Sequence, residues 1–289
     1  MPWLQEQIGS ILAQDGVAVS LHVSVDLSSD GTLAYIQDLC RRNPAIDLLP
    51  YGEPYGCAAR NFFRLLRSVD FSDVEFVALA DQDDLWLGGR LRRAVSELDR
   101  CRADGYASNV TAFWENGRER YIDKSQPPRK WDFLFEAGGP GCTYVLRSGL
   151  ARRLQQRLRS EAGAVEQIEV HDWLIYAFAR GNGFAWVIDD VPGVRYRQHA
   201  GNALGVNLGL RAYYRRASRL LDGWGFAQAQ LIAHAVGLGA DPFVLRWRER
   251  RRRDFARLAL QAWHCRRRPR DRVLFALLCL TLACVGVER

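Results

Sequence analysis

Apolar and polar residues in the first half of the chain follow two different periods. Between residues 17 and 25 every second residue is valine or leucine, which is the two-residue period of a strand with one buried face. Apolar residues three or four positions apart predict helices over residues 4–12, 33–40, 58–69 and 91–98, and short apolar runs predict strands over residues 46–49 and 74–80. Strands that alternate with helices at this spacing predict an α/β domain whose central sheet is mostly parallel.

The pattern loosens in the second half of the chain. Residues 108–114, 184–188 and 194–197 are strand candidates, and residues 148–160 and 171–181 are helix candidates. From residue 208 onward the spacing of apolar residues is helical. The sequence therefore predicts an α/β domain over residues 1–206, followed by a helical region over residues 207–289.

Three carboxylates follow the apolar run at residues 74–80, namely Asp81, Asp83 and Asp84. In open α/β sheets, ligands bind at the carboxyl ends of the strands. Carboxylates this close repel one another unless a cation or solvent relieves them, and oxygen ligands suit Mg²⁺ or Mn²⁺. We interpret the cluster as a metal and phosphate site. A solvated acidic turn before the next helix is the alternative.

The composition indicates a folded protein in a reducing compartment. The chain has 289 residues, 48% of them hydrophobic, with a formal net charge of +7. The seven cysteines contain no C-x-x-C pair, which argues against a disulfide framework or a zinc site. The positive charge alone could indicate nucleic-acid binding, but no recognition-helix or aromatic-interleaved signature accompanies it. Nucleic acid is therefore not an expected partner.

Seven short motifs lie between roughly residues 4 and 205, at residues 4–12, 26–32, 56–62, 80–86, 139–143, 171–173 and 196–205. Any one of these motifs is weak evidence, but the ordered set is specific. In this order they resemble glycosyltransferase family 2, and its bacterial rhamnosyltransferase branch most of all. The resemblance implies a GT-A fold, which is Rossmann-like, with a mostly parallel central sheet flanked by helices.

The resemblance also implies how a dTDP- or UDP-sugar donor would bind. Asp26 would accept a hydrogen bond from the ring N–H of the uracil or thymine base. Asp81 would contact the ribose or complete the metal shell. Further donor contacts are implied for Asp30, Arg60 and Arg197.

The same resemblance implies a metal site and an acceptor side. Asp83 would bind the Mn²⁺ or Mg²⁺ that bridges the donor diphosphate, together with Asp81. His199 would be a third metal ligand or a proton donor to the diphosphate; a purely structural histidine is the alternative.

Asp172 would be the general base that deprotonates the acceptor hydroxyl. Taken alone it would more often be a helix N-cap, because an apolar helix begins there. The resemblance implies that Gly139, Gly141 and Trp173 shape the acceptor side.

Together these roles predict an inverting, metal-dependent glycosyltransferase that moves a sugar, with rhamnose as the candidate, onto a cell-surface polysaccharide or a lipid-linked glycan. One alternative is a catalytically inactive GT-A relative that binds a nucleotide sugar or a partner glycosyltransferase. Another is a metal-dependent phosphoester hydrolase, which would need more histidine or carboxylate ligands. Relatives begin with a strand and a T-Y-N-G-like turn before the first helix. That element is missing here, so we expect a start codon assigned too far downstream or a fragment; a degraded, inactive copy is the alternative.

The C-terminal region is basic and then apolar. Residues 246–272 contain twelve arginines and three acidic residues, and residues 273–287 contain no charge. A membrane-spanning helix needs about 20 apolar residues, so this run is short. We expect a cytoplasmic protein attached peripherally to the inner face of the bacterial membrane through this region. Packing of the helix onto the catalytic domain is the alternative.

Overall fold

The computed structural model describes residues 3–199 and 223–286. Its described helices are α1 (Leu4–Leu12), α2 (Thr32–Arg42), α3 (Ala58–Ser68), α4 (Arg90–Arg100), α5 (Ser148–Ser160), α6 (Ala162–Val165), α7 (His171–Gly181), α8 (Trp224–Ala235), α9 (Pro242–Leu245), α10 (Arg252–Leu260), α11 (Ala262–Cys265) and α12 (Pro269–Val285). Two short 3₁₀ turns cover Asp132–Leu134 and Gly141–Thr143.

The described strands form two sheets. They are β1 (Leu21–Val23), β2 (Ile46–Leu48), β3 (Phe76–Ala78), β4 (Leu85–Trp86), β5 (Gly105–Phe113), β6 (Glu119–Ile122), β7 (Val145–Arg147) and β8 (Trp186–Arg197). Strands β1 and β2 pair with each other, and the other six form a sheet in the order β3-β7-β5-β8-β4, with β6 added to β5.

The larger sheet is mixed, which corrects the mostly parallel sheet expected from the sequence. Among the described strands, only β1 with β2 and β5 with β8 run parallel, and the other four pairings are antiparallel. A short apolar run specifies a strand but not the direction of its neighbour. The α/β alternation of the first hundred residues therefore did not reveal the reversed strands, which are the two-residue β4 and the later strands β6 and β7.

Two sequence-based predictions of strand length are also corrected. The candidates at residues 184–188 and 194–197 are the two ends of the single strand β8. The polar residues between them belong to the same strand, and the pairing of β8 with β5 shifts register there, between Ser108 and Val110 of β5. The alternating run at residues 17–25 pairs over only three residues, Leu21–Val23. Residues 24–26 instead lead out of the sheet and deliver Asp26.

A cavity of about 570 Å³ separates the two sheets. Its walls include both β1 and β3, together with apolar side chains of α1, α3 and α4, such as Ile8, Leu65 and Leu91. Among the described strands, β1 pairs only with β2, and β3 pairs only with β7. The facing edges of β1 and β3 are therefore not joined by a strand in the described parts of the chain.

One hydrophobic core joins the α/β region to the C-terminal helices. It includes Phe63 of α3, Tyr176 of α7, Phe226 of α8, Phe255 of α10 and Cys279 of α12. One side of α12 therefore packs onto the catalytic domain, which is the alternative stated above for the C-terminal helix. The domain boundary proposed near residue 206 lies outside the described residues.

None of the helices in residues 3–199 and 223–286 combines the length and the apolar character that crossing a bilayer requires.

Candidate active site

The acidic cluster lies just beyond β3, and Asp81 is the third residue after the end of that strand. Ligand atoms of Asp81, Asp84 and Cys142 lie within 4.8 Å of one another. Oδ1 of Asp84 accepts a hydrogen bond from the backbone N–H of Arg197 at 2.9 Å. Its Oδ2 is buried and has no hydrogen-bond partner among the described residues. Apart from the nearby Cys142 thiol, which is a weak donor, the described chain offers this carboxylate oxygen no polar partner.

Asp83 points to a different partner within the same cluster. Its Oδ2 lies 2.7 Å from Nε2 of His199, whose ring stacks on Trp3 with 4.3 Å between ring centroids. Arg197 links Asp83 to helix α1. Its Nε donates to the backbone oxygen of Asp83 at 2.9 Å, and its Nη2 donates to Oε2 of Glu6 at 2.6 Å. The structure thus brings Asp81, Asp83, Arg197 and His199 together, as expected from the sequence.

Burial and mutual repulsion shift the protonation of these carboxyls upward. Burial, reinforced by Asp84, Asp83 and Asp172, raises the pKa of Asp81 well above its usual value. Burial, with a further contribution from Asp83, raises the pKa of Asp84 to about 7, against the opposing effects of the Cys142 thiol and Arg90. The charged form of the cluster is therefore unfavourable until a positive charge joins it.

Arg90 is a buried cation beneath the cluster that sequence reasoning missed. Its Nη2 donates to the backbone oxygen of Cys142 at 2.8 Å, and its guanidinium lies 3.7 Å from the centre of the Trp86 ring. Burial lowers its pKa to about 10, which leaves it charged at neutral pH. Arg90 begins the arginine-rich helix α4, and nothing in that run of arginines indicates that Arg90 points inward while Arg92 is exposed.

Asp172 occupies the second position of α7, and Val170 is the N-cap. The simple N-cap interpretation is therefore wrong, although Oδ1 of Asp172 does accept the backbone N–H of Trp173 at 2.7 Å. Burial raises the pKa of Asp172 to about 6, against the lowering effects of that N–H and of Lys124. Asp172 is also close enough to raise the pKa of Asp81. Gly141 lies against Asp172 and the next residue, Cys142, lies against Asp81, so the two carboxyls are close neighbours, and the space around them is called the cleft below.

Glycine is required at position 141 because Asp172 and its neighbour lie so close. A Cβ on Gly141 would lie 2.9 Å from Nε2 of His171 and 3.0 Å from Cβ of Asp172. Gly139 has a φ of +138° and leaves no room for a side chain beside Ala107, whose Cβ would lie 2.8 Å away. The loop that contains both glycines is anchored to α7, because the Tyr144 hydroxyl donates to the backbone oxygen of Asp172 at 3.2 Å.

His171 is a second feature that the motif alone did not explain. Its ring stacks on Phe62 with 4.1 Å between centroids, and burial lowers its pKa to about 3, so the ring is neutral. Its Nε2 is buried and has no partner among residues 3–199 and 223–286. The ring faces Gly141 and forms one wall beside Asp172.

Trp173 does not face the cleft, which corrects its expected place on the acceptor side. Its side chain is buried in the hydrophobic core, and its indole N–H donates to the backbone oxygen of Phe133 at 2.9 Å. One residue along a helix rotates the side chain by about 100°. Of the two neighbouring motif residues, Asp172 therefore faces the cleft and Trp173 lies in the core.

Asp26 closes the loop that follows β1. Its carboxylate accepts backbone N–H groups of Leu27 at 2.8 Å, Tyr55 at 2.7 Å and Gly56 at 2.9 Å. Partial burial acts in the opposite direction, but these three donors hold the pKa of Asp26 below its usual value. A carboxylate offers about four acceptor positions, so Asp26 can still accept one further N–H.

Asp30 lies in the turn that follows Asp26, and Arg60 lies in the first turn of α3. Asp30 accepts the backbone N–H of Thr32 at 3.2 Å and its hydroxyl at 2.6 Å, which fixes the start of α2. Arg60 lines a polar cavity of about 550 Å³ together with Tyr51, Tyr55, Arg64 and Glu166, and its Nε lies 3.9 Å from Glu166. Asp26 meets this cavity through the backbone of Tyr55.

The most informative similarity to a known protein covers nearly the whole chain. The chain is 34% identical over 277 residues to dTDP-rhamnosyl transferase RfbG of Shigella flexneri, an alignment that spans 96% of this chain and 95% of the relative. The chain belongs to the rhamnosyltransferase branch of glycosyltransferase family 2. It is a glycosyltransferase. No protein-family model matches it.

Solved structures support the fold of this glycosyltransferase. Residues 1–349 of Staphylococcus aureus TarS share 15% identity and a TM-score of 0.54, covering 97% of this chain and 77% of that chain. The same TarS fragment in complex with UDP-GlcNAc gives a TM-score of 0.53 at 14% identity, covering 99% and 89% of the two chains. The α/β GT-A fold expected from the sequence is confirmed.

The residues of this glycosyltransferase suit a hard divalent cation. Asp81, Asp83 and Asp84 supply carboxylate oxygens, and His199 supplies a ring nitrogen beside Asp83. The Cys142 thiol is less suited, because burial and the two nearby carboxylates raise its pKa well above the usual value and keep it protonated. The unsatisfied Asp84 oxygen and the raised carboxyl pKa values are what an unneutralised cation site produces.

Proposed function

We propose that this glycosyltransferase transfers a sugar from a nucleotide sugar to an acceptor hydroxyl with inversion at the anomeric carbon, and that it depends on Mn²⁺ or Mg²⁺. The observation that carries the proposal is that Asp172 lies close to a carboxylate cluster suited to a cation, because Gly141 contacts Asp172 and the next residue, Cys142, contacts Asp81 and Asp84. The pKa of Asp172 is raised to about 6 there. A base and a charge-neutralising site on one cleft are the two requirements for a single displacement at a sugar carbon.

The donor is proposed to be a dTDP- or UDP-sugar, and dTDP-rhamnose is the first candidate because the relative RfbG carries that donor in its name. Asp26 remains able to accept the ring N–H of a thymine or uracil base. Arg60 lines the polar cavity beside it, and Asp30 stabilises the turn before α2.

The leaving group of such a donor is a nucleoside diphosphate, on which negative charge grows as the sugar departs. A divalent cation held by Asp81 and Asp83, with His199 beside them, would neutralise that charge. Arg197 holds the backbone of Asp83 and the loop of Asp84 in place, and the buried Arg90 supports the cluster from below.

Asp172 is proposed to take the proton of the acceptor hydroxyl as that oxygen attacks. A pKa of about 6 leaves Asp172 ionised at neutral pH while making it a stronger base than an exposed aspartate. Gly141 keeps the approach to Asp172 open, and the neutral His171 forms the wall of that approach. The acceptor is proposed to be a surface polysaccharide or a lipid-linked glycan.

The decisive experiment measures release of dTDP from dTDP-rhamnose by the full chain with Mn²⁺, and compares it with Asp172→Asn and Asp83→Ala. Both variants should lose activity by about a hundred-fold or more. Asp15→Ala, which removes an exposed carboxylate paired with Arg92, serves as the matched control and should keep activity. The anomeric configuration of the product, read by NMR, tests inversion.

Turnover that survives both Asp172→Asn and Asp83→Ala would contradict the assignment. Donor binding without any turnover in the wild-type chain would instead support the alternative of a catalytically inactive relative that binds a nucleotide sugar.

A further inference from the structure

The last helix, α12, is apolar on nearly all sides, yet only one side is covered by the rest of the chain. Phe275, Cys279 and Leu282 are buried in the core. On the opposite side, four apolar side chains are each 49–54% exposed, namely Val273, Leu274, Leu277 and Leu280. These four side chains are called the outer face of α12. Their successive spacings of one, three and three residues place them on one helical stripe.

Exposed apolar side chains are concentrated in this part of the molecule. Thirteen large apolar side chains are exposed in the described residues, and eight of them follow residue 244. Besides the outer face of α12, they include Leu260 at the end of α10 and Trp263 of α11. An apolar surface that is this concentrated marks an interaction site rather than the scattered exposure of an ordinary surface.

Arginines lie at both ends of the outer face. Arg270 lies three residues before Val273, on the same stripe, and is exposed. Trp263 stacks on the Arg272 guanidinium at 4.6 Å near this end. At the other end, Arg252 donates from Nη2 to the backbone oxygen of Val285 at 3.2 Å, which also shows that α10 and α12 run antiparallel. Cations therefore lie at both ends of a helix that is about 25 Å long and carries the apolar outer face between them.

We propose that the outer face of α12 lies on a phospholipid surface that contains anionic headgroups, with the helix axis parallel to the membrane plane. Leucine side chains would enter the boundary between headgroups and acyl chains, and Arg270 and Arg252 would contact lipid phosphates. Charged residues at both ends favour the flat orientation, because burying either end in the hydrocarbon would desolvate a guanidinium. Trp263, whose exposed ring stacks on an arginine, suits the interfacial region.

A second copy of this chain is a poorer partner for the same face. In a two-fold dimer with antiparallel α12 helices, the Arg270 end of one helix would meet the Arg252 end of the other. In a parallel arrangement, each arginine would meet its own copy. Both arrangements bring cations together beside an apolar surface, which opposes association. Anionic headgroups instead complement the cations at each end.

Vesicle flotation tests the proposal with the full chain and without donor or acceptor, so the result is independent of sugar transfer. We expect the chain to float with phosphatidylcholine vesicles that contain about 30% phosphatidylglycerol, and to bind neutral phosphatidylcholine vesicles much less. The triple substitution Leu274→Ser, Leu277→Ser and Leu280→Ser should lower the partition coefficient by about ten-fold or more. Raising the salt concentration to about 0.5 M should weaken binding as well.

A matched control removes three exposed apolar side chains from the rest of the surface, by Leu27→Ser, Leu87→Ser and Val191→Ser. This variant should float as the wild type does, and thermal unfolding of both triple variants checks that each still folds. Arg270→Gln with Arg252→Gln should lose the preference for anionic vesicles, whereas Arg118→Gln with Arg120→Gln should keep it.

Three results would overturn the proposal. They are failure of the wild-type chain to float, equal binding to neutral and anionic vesicles, and a vesicle-free dimer that sedimentation detects and that the α12 triple variant dissociates.

Discussion

Nη1 of Arg267 lies 3.3 Å from Oδ2 of Asp132, and both side chains are almost completely buried. Arg267 precedes α12, and Asp132 begins the turn that leads into the glycine loop of the cleft. The same guanidinium donates to the backbone oxygen of Ala137 at 2.7 Å, and Asp132 also accepts the hydroxyl of Tyr176 at 2.9 Å. The C-terminal helices are therefore fastened to the segment that carries Gly139 and Gly141.

Removing the guanidinium should destabilise the whole fold, because the buried Asp132 loses one of its two arginine partners and keeps Arg180 at 3.3 Å, while the backbone oxygen of Ala137 loses its donor. We expect Arg267→Met to lower the free energy of unfolding by about 3–5 kcal/mol. Arg268→Met is the matched control, since that side chain is 36% exposed and lies 3.9 Å from Asp123, and it should cost less than about 1 kcal/mol. Urea unfolding followed by tryptophan fluorescence measures both. Equal values for the two variants would contradict a structural role for the buried pair.

The glycine at position 141 should matter for transfer more than for folding. We expect Gly141→Ala to lower kcat/KM by about a hundred-fold, because the added Cβ must displace His171 or Asp172 by a few tenths of an ångström or more. Gly149→Ala in α5 is the control, since nothing lies within 4 Å of its added Cβ. That variant should keep its activity and gain slightly in stability. Full activity of Gly141→Ala would show that the cleft tolerates the shift.

The sequence motifs located the cleft because they sit where elements end. Asp81 follows a strand and Asp172 begins a helix, so a short pattern predicts their surroundings without the whole fold. Arg90 and Arg267 gave no such signal, since each stands in an arginine-rich stretch and only tertiary packing selects it for burial. Asp132 and Arg267 are also far apart in the chain. The direction of the strands in the larger sheet could not be predicted for a related reason. It depends on how the connecting segments run between the strands, and the local pattern of apolar residues does not report that path.

The pH dependence of transfer should report the base. Asp172 acts only when ionised, so kcat/KM should rise with pH through about 6 and level off above it. The charges near this carboxyl are the Lys124 ammonium, which lowers its pKa, and the Asp81 carboxyl across the cleft. Lys124→Met should therefore move the acidic limb of the profile to higher pH.

Lys130→Met provides the control for that profile. Lys130 is exposed and lies over the Trp131 ring at 5.3 Å, away from Asp172 in the described contacts. Its substitution should leave the limb in place. A limb that is unchanged in Lys124→Met would argue that another group titrates, because the loss of a nearby cation must raise the pKa of an ionising carboxyl.

Cation binding should stabilise the fold by an amount that depends on the ligand set. At a Mn²⁺ concentration about 100 times its Kd, the free energy of unfolding should increase by about 2.7 kcal/mol. Asp83→Ala should abolish that increase, and His199→Ala should reduce it. Two ligand sets are compared: Asp81 and Asp83 with His199, and Asp81 and Asp84 with Cys142. Cys142→Ser distinguishes them. Because the raised pKa of this thiol keeps it protonated, we expect Mn²⁺ stabilisation to persist in this variant. Calorimetric unfolding with and without Mn²⁺ measures all three variants. Loss of the increase in Cys142→Ser, with retention in Asp83→Ala, would move the cation to Asp81, Asp84 and Cys142.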